Sequence, residues 1–154
     1  MTLFPDCSNS PSGSAILLSV KPRFADLIVD GSKRVELRRA IPARPIGTLA
    51  IYSSAPVQLI VALADVAETV EASPLRLWSL AKANGGGLTK AELLQYFDAK
   101  TTGFAFMLAN VRVFESPVSP RKIFKSFAPP QSFKYLSARE LQKIDSLAKP
   151  RSTR

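Results

Sequence analysis

The sequence has no histidine and a single cysteine, Cys7. Those absences exclude a disulfide within the chain, a histidine-based catalytic triad and the Cys/His zinc sites. Proton transfer, if the protein performs any, falls to Lys, Glu, Asp, Ser, Thr or Tyr, or to a metal held by oxygen ligands; no metal or other cofactor is called for. No apolar run is longer than a strand, so nothing approaches a membrane span. Residues 1–14 lack the basic start and apolar stretch of a signal peptide, and a soluble, cytoplasmic protein is the expectation. Acidic residues are also scarce, at 12 Asp and Glu against 21 Lys and Arg, giving a net charge of +9 and a pI near 10.1. That balance favours an anionic partner, nucleic acid or an acidic membrane surface. No long basic amphipathic helix supports the membrane.

What is present fits a folded protein: 154 residues, 46% hydrophobic, are enough to bury a core. The organisation read from composition is a disordered leader over 1–14, rich in Ser and Pro, a single domain over 15–148, and a basic tail over 149–154. Charge is uneven along the chain. Seven Lys or Arg face three acids between Lys21 and Arg44, and nine face two from Arg121 onward, whereas Pro45–Pro120 is nearly balanced at five against six. A surface drawn from both flanks would be strongly basic.

The local pattern gives strands at Ala15–Val20, Thr48–Ser53, Gln58–Val70 and Gly103–Phe114. Pro22 opens a short helix that Gly31 closes, and Ser73-Pro74 opens a second. Capping boxes at Thr89–Glu92 and Ser137–Glu140 start two more. Asn84–Gly87 reads as a flexible loop, Ser116–Pro120 as a turn, and Pro129–Leu136 as irregular. Trp78 has apolar helix neighbours and reads as core. Short helices between five or six strands make an α+β domain with a curled or barrel-like sheet.

The stretch that bears on function is Gly31-Ser32-Lys33-Arg34-Val35-Glu36-Leu37-Arg38-Arg39. Four cations lie within seven residues, and one carboxylate cannot neutralise them. Strand alternation points Val35 and Leu37 to the core and Arg34, Glu36 and Arg38 the other way, with Arg39 opposite Arg38. Lys33 can share a face with Glu36 only from the turn before the strand, where its side chain is expected to be accessible.

Gly31, Lys33, Glu36 and Arg38 match the Gly-x-Lys-x-x-Glu-x-Arg signature of the ASCH domain, in the PUA-like superfamily. The preceding Leu18-Ser19-Val20-Lys21-Pro22-Arg23-Phe24-Ala25 strand–helix pair resembles that family's opening, and the likeness runs from about Ile16 to Phe114. The resemblance implies a small PUA-like curled β-barrel with short helices around it, and a cleft into which the signature projects. It also implies RNA-related function. Some family members resemble amidohydrolases of acetylated cytidine that use a Thr–Lys–Glu triad; Glu36 stands at their threonine position, and a carboxylate does not replace a hydroxyl nucleophile simply.

Two readings follow. In the first, the protein is a module that grips single-stranded or structured RNA, or a modified nucleotide, in a basic cleft. Its contacts would come from Lys21, Arg23, Lys33, Arg34, Arg38, Arg39, Tyr52 and Ser53. In the second it is a small metal-independent hydrolase, a ribonuclease or an N-acylcytidine amidohydrolase, using Lys33 with Glu36, or Lys33 with Tyr52 or Ser132. Asp65 or Glu68 could supply a second acid.

Overall fold

The structure, a computed structural model, describes residues 13–149. Its centre is a six-stranded mixed sheet: β1 (Ser14–Val20), β2 (Val35–Arg38), β3 (Ile46–Ser53), β4 (Leu59–Ala72), β5 (Gly103–Val118) and β6 (Phe133–Leu136). The spatial order is β2-β5-β4-β3-β1-β6. β1 and β3 are parallel, and every other pairing is antiparallel. Four helices surround the sheet: α1 (Pro22–Val29), α2 (Pro74–Asn84), α3 (Lys90–Tyr96) and α4 (Ala138–Leu147), with a 3₁₀ turn at Pro120–Lys122. Among the described residues no helix is long and apolar enough to cross a membrane.

Three apolar clusters account for the layering. Ile16, Leu18 and Val20 of β1 share one with Ala25 and Ile28 of α1, so α1 covers that face. Ala15 and Leu17, on the alternate side of β1, pack with Tyr52, Phe124 and Ile144 beneath α4 and the 3₁₀ turn. Val35 and Leu37 of β2 lie with Leu77, Ala81, Leu93 and Phe97, which seats α2 and α3 against the far end of the sheet.

The sheet curls without closing by backbone pairing. Among the described residues no ladder joins the two outer strands, β2 and β6, so an open sheet stands where a barrel was expected. β4 and β5 are long, and their register shifts around Leu63–Asp65 and Val66–Glu68, the kind of irregularity that bends a strand and raises its twist. The bend brings the outer strand β2 to β1, the strand next to the opposite edge, and Arg38 on β2 donates to the Ser19 carbonyl oxygen on β1 at 2.7 Å. Laid flat, those strands would be four spacings apart, roughly 19 Å, beyond an arginine's reach. Closure at this end is made by one side chain.

Four boundaries differ from the sequence expectation. Ser14 belongs to β1, where its N–H donates to the Pro45 carbonyl, so an unstructured leader through residue 14 runs too far; residues 1–12 lie outside the described residues. β5 continues through the Ser116-Pro117 turn signal to Val118, since Val118 pairs with Ile60. Phe133–Leu136, read as irregular, is a strand because β1 offers it a free edge. Lys149, assigned to a basic tail, accepts from the Glu115 N–H through its carbonyl; the rest of that tail, 150–154, is not described.

Candidate functional site

A cleft of about 450 Å³ opens where the C-terminal end of β1, the start of α1, β2, α3 and the Pro129–Gln131 segment converge. The turn before β2 supplies its floor. Asp30 caps α1, Gly31 follows with φ +87°, and the Asp30 carboxylate accepts from the Ser32 N–H and hydroxyl. The Lys33 N–H then donates to the Leu27 carbonyl, and the Arg34 N–H to that of Asn84. Lys33 therefore precedes the strand and shares the cleft with Glu36, which the signature spacing permits only in that arrangement.

Lys33 is only 3% exposed and Glu36 5%, so the accessible turn lysine expected from the sequence is in fact buried. The reason is the glycine run: the Lys33 ammonium donates to the Gly86 carbonyl at 2.5 Å and lies 4.9 Å from the centre of the Phe24 ring. Its nitrogen is 3.5 Å from Glu36 Oε1. On the other side, Arg38 Nη2 and Nε donate to Glu36 Oε2 at 2.7 and 3.1 Å. Arg38 spends its remaining reach on the Ser19 carbonyl and, at 3.4 Å, on the Ser132 hydroxyl. One carboxylate thus holds a buried cation, Lys33, and a partly buried one, Arg38.

Burial pushes the Lys33 pKa below its ordinary value; Glu36 pulls it back, and Arg38 and Arg23 add to the depression. A depressed ammonium gives up its proton more readily than a surface lysine. At the mouth, desolvation raises the Tyr96 phenol, with Arg38 opposing and Glu36 adding. Arg23 donates to both Glu92 carboxylate oxygens and to the Gly87 carbonyl, joining α1 to α3 across the opening. Among the described residues no cluster of three or more His, Cys, Asp or Glu side chains could hold a metal ion.

The Gly85–Gly87 run, read as a flexible loop, is packed. Gly85 sits at φ +67°, and a Cβ there would lie 1.8 Å from the Ser32 carbonyl oxygen. Gly85→Ala should cost more than the ~1–2 kcal/mol of a left-handed alanine alone, since the Lys33 turn must also move. A thermal melt reads this directly, and an unchanged melting temperature would mean that the loop does not buttress the turn.

The ASCH domain profile matches residues 18–118, two thirds of the chain. The chain belongs to the ASCH domain family. An ASCH domain-containing ribonuclease of Zymomonas mobilis is 31% identical over 144 residues, with 89% of this chain and 94% of that protein aligned. The crystal structure of ASCH from Zymomonas mobilis matches with a TM-score of 0.81 at 30% identity, over 88% of this chain and 96% of that one. A serine-to-alanine variant of that protein matches at 0.79 and 30% identity, over 90% and 99%.

In this ASCH domain the cleft gathers Lys21, Arg23, Lys33, Glu36 and Arg38 from the sequence candidates, and Ser132 joins through Arg38. Arg34 and Arg39 are exposed and outside the cleft lining; they flank β2 at either end, so the alternation that would put Arg34 with Glu36 and Arg38 does not reach it. Tyr52 and Ser53 are buried at 1% and 2% and also lie outside it. Tyr52 packs edge-on against Phe127, and burial raises its phenol pKa while Arg121 pulls it down. Asp65 is paired with Arg112 and Asn110, away from Lys33, and serves no second acid here. Reading residues singly missed Ser19, Ser54, Glu92, Tyr96 and Gln131, all of which line the ASCH cleft. Glu92 signalled only its capping box; its partner Arg23 is 69 residues away.

Proposed function

We propose that this protein acts on RNA as a small ribonuclease at the Lys33–Glu36–Arg38 cleft. The carrying observation is the buried cation–carboxylate–cation array in the floor of a cleft whose rim holds Lys21 and Arg23. The 31% identity to a protein named as an ASCH domain-containing ribonuclease supports the same class. In this reading, Glu36 takes the proton from a ribose 2′-hydroxyl as its oxygen bonds to the neighbouring phosphorus. The bond from phosphorus to the 5′-oxygen breaks, and Lys33 protonates the departing oxygen. The products are a 2′,3′-cyclic phosphate and a 5′-hydroxyl. The proton on Glu36 then passes to the neutral Lys33 amine across their 3.5 Å contact, which restores both groups. Arg38 spends its donors within the protein and holds Glu36 in place; Lys21, exposed on the rim, is the phosphate contact. Binding in a curled, barrel-like scaffold with RNA single strands fits a cleft bordered by Phe24, Leu88 and Tyr96 better than a duplex does.

End-labelled single-stranded RNA incubated with purified protein should yield fragments ending in cyclic phosphate, and an oligonucleotide lacking 2′-hydroxyls should survive. The rate should fall on the alkaline side as pH rises through the depressed Lys33 value, below 10.5, because the acid must be protonated. RNA bound but left intact would return the protein to a binding module. Release of acetate from acetylcytidine, with RNA intact, would make it an amidohydrolase.

A further inference from the structure

We propose that the basic segment from the 3₁₀ turn into β6 is a second, non-catalytic track that holds the RNA strand after it leaves the cleft. This rests on RNA being the substrate and extends its footprint. The segment is tied to the cleft at two points: the Ser19 hydroxyl donates to the Pro130 carbonyl at 2.7 Å, and Arg38 reaches Ser132. Its backbone cannot stray far from the cleft, since Lys125 precedes Pro129 by four residues and so lies within roughly 14 Å of it.

From Ser116 to Arg139 the chain carries five Lys or Arg and no Asp or Glu, so no acid of its own opposes the cations along it. Arg23, Lys33, Arg38 and Arg112 each face a carboxylate within 4 Å. Among the described residues Lys122, Lys125 and Lys134 form no such pair, and Lys122 and Lys125 are exposed. What accompanies them is aromatic: Lys134 lies 4.5 Å from the centre of the Phe124 ring, which stacks on Phe127. Cations with no acid among them, held in place by packed rings and continuous with a nucleotide-sized cleft, match what a flexible polyanion requires. A lipid surface would ask instead for exposed apolar side chains between the lysines, and Phe124 is buried at 6%.

The test uses the full chain and a triple variant, Lys122→Ala, Lys125→Ala and Lys134→Ala, with a triple Lys→Arg variant as the charge-retaining control. For a 20-nucleotide RNA, the slope of log K against log salt should flatten by about 2 in the alanine variant, from three contacts at roughly 0.7 each for single strands. The ratio of kcat/KM on the 20-mer to that on a dinucleotide should fall at least tenfold, and the arginine variant should restore both. An unchanged slope, or equal losses on both substrates, overturns the track, as does a variant defective only towards anionic phosphatidylserine vesicles. If the wild-type protein cleaves neither substrate yet the slopes still differ, the track stands and the ribonuclease reading falls.

Discussion

Arg38→Ala should be the most destabilising single change at the site, lowering stability by about 3–5 kcal/mol, the usual cost of breaking a buried ion pair from one side. For a chain of this size that corresponds to a melting temperature lower by roughly 6–20 °C. Glu36 would keep only the Lys33 ammonium at 3.5 Å, and the Ser19 carbonyl would lose the guanidinium that satisfies it where β6 ends. The outer strand β2 and the penultimate strand β1 would lose the side chain that joins them. The triple variant Arg38→Met, Glu36→Gln and Lys33→Met removes all three charges of the array, so it should recover part of the loss, since an apolar or neutral replacement of a whole buried charge group is far less costly than breaking it from one side. Thermal melts of the three proteins test this. An Arg38→Ala protein as stable as the wild type would reduce the bridge to a passive contact.

Lys33→Met should lower RNA turnover by two to four orders of magnitude, the usual contribution of a positioned proton donor, while the protein stays folded. Methionine keeps the length and apolar stem of lysine. It leaves Glu36 paired with Arg38 and deprives the Gly86 carbonyl of a donor, a loss of about 1–3 kcal/mol. Part of that is offset, because burial disfavours the Lys33 charge in the native state. Between the depressed native value and 10.5 the unfolded chain holds the additional proton, so native stability rises with pH through that window. The variant should therefore lose both this rise and the alkaline fall in rate. Full turnover by folded Lys33→Met would remove the lysine from the chemistry.

Much of the sheet was legible because its strands advertise themselves. Ile16-Leu17-Leu18 and Thr48–Ser53 are apolar runs of strand length, and the Thr89 and Ser137 capping boxes mark α3 and α4 in four residues each. Phe133–Leu136 was not legible, because its pairing depends on an edge of β1 supplied more than a hundred residues earlier. The same limit governs the site. Gly31, Lys33, Glu36 and Arg38 form a local signature, whereas Arg23–Glu92 and Lys33–Gly86 join residues 69 and 53 apart. No spacing rule carries that information. Burial of Lys33 also follows from Gly85, since only a residue without a Cβ lets the backbone there approach Ser32 and Lys33 so closely.

The Arg38–Ser132 contact spans 94 positions of the chain. During synthesis from the N-terminus, the segment that completes this wall emerges well after Arg38. A partly made chain with α1, β2 and the glycine run already in place therefore still lacks an intact cleft. Loop closure over such a distance is a late and slow event in folding. The cleft is thus complete only once the Pro130–Ser132 segment has joined Ser19 and Arg38.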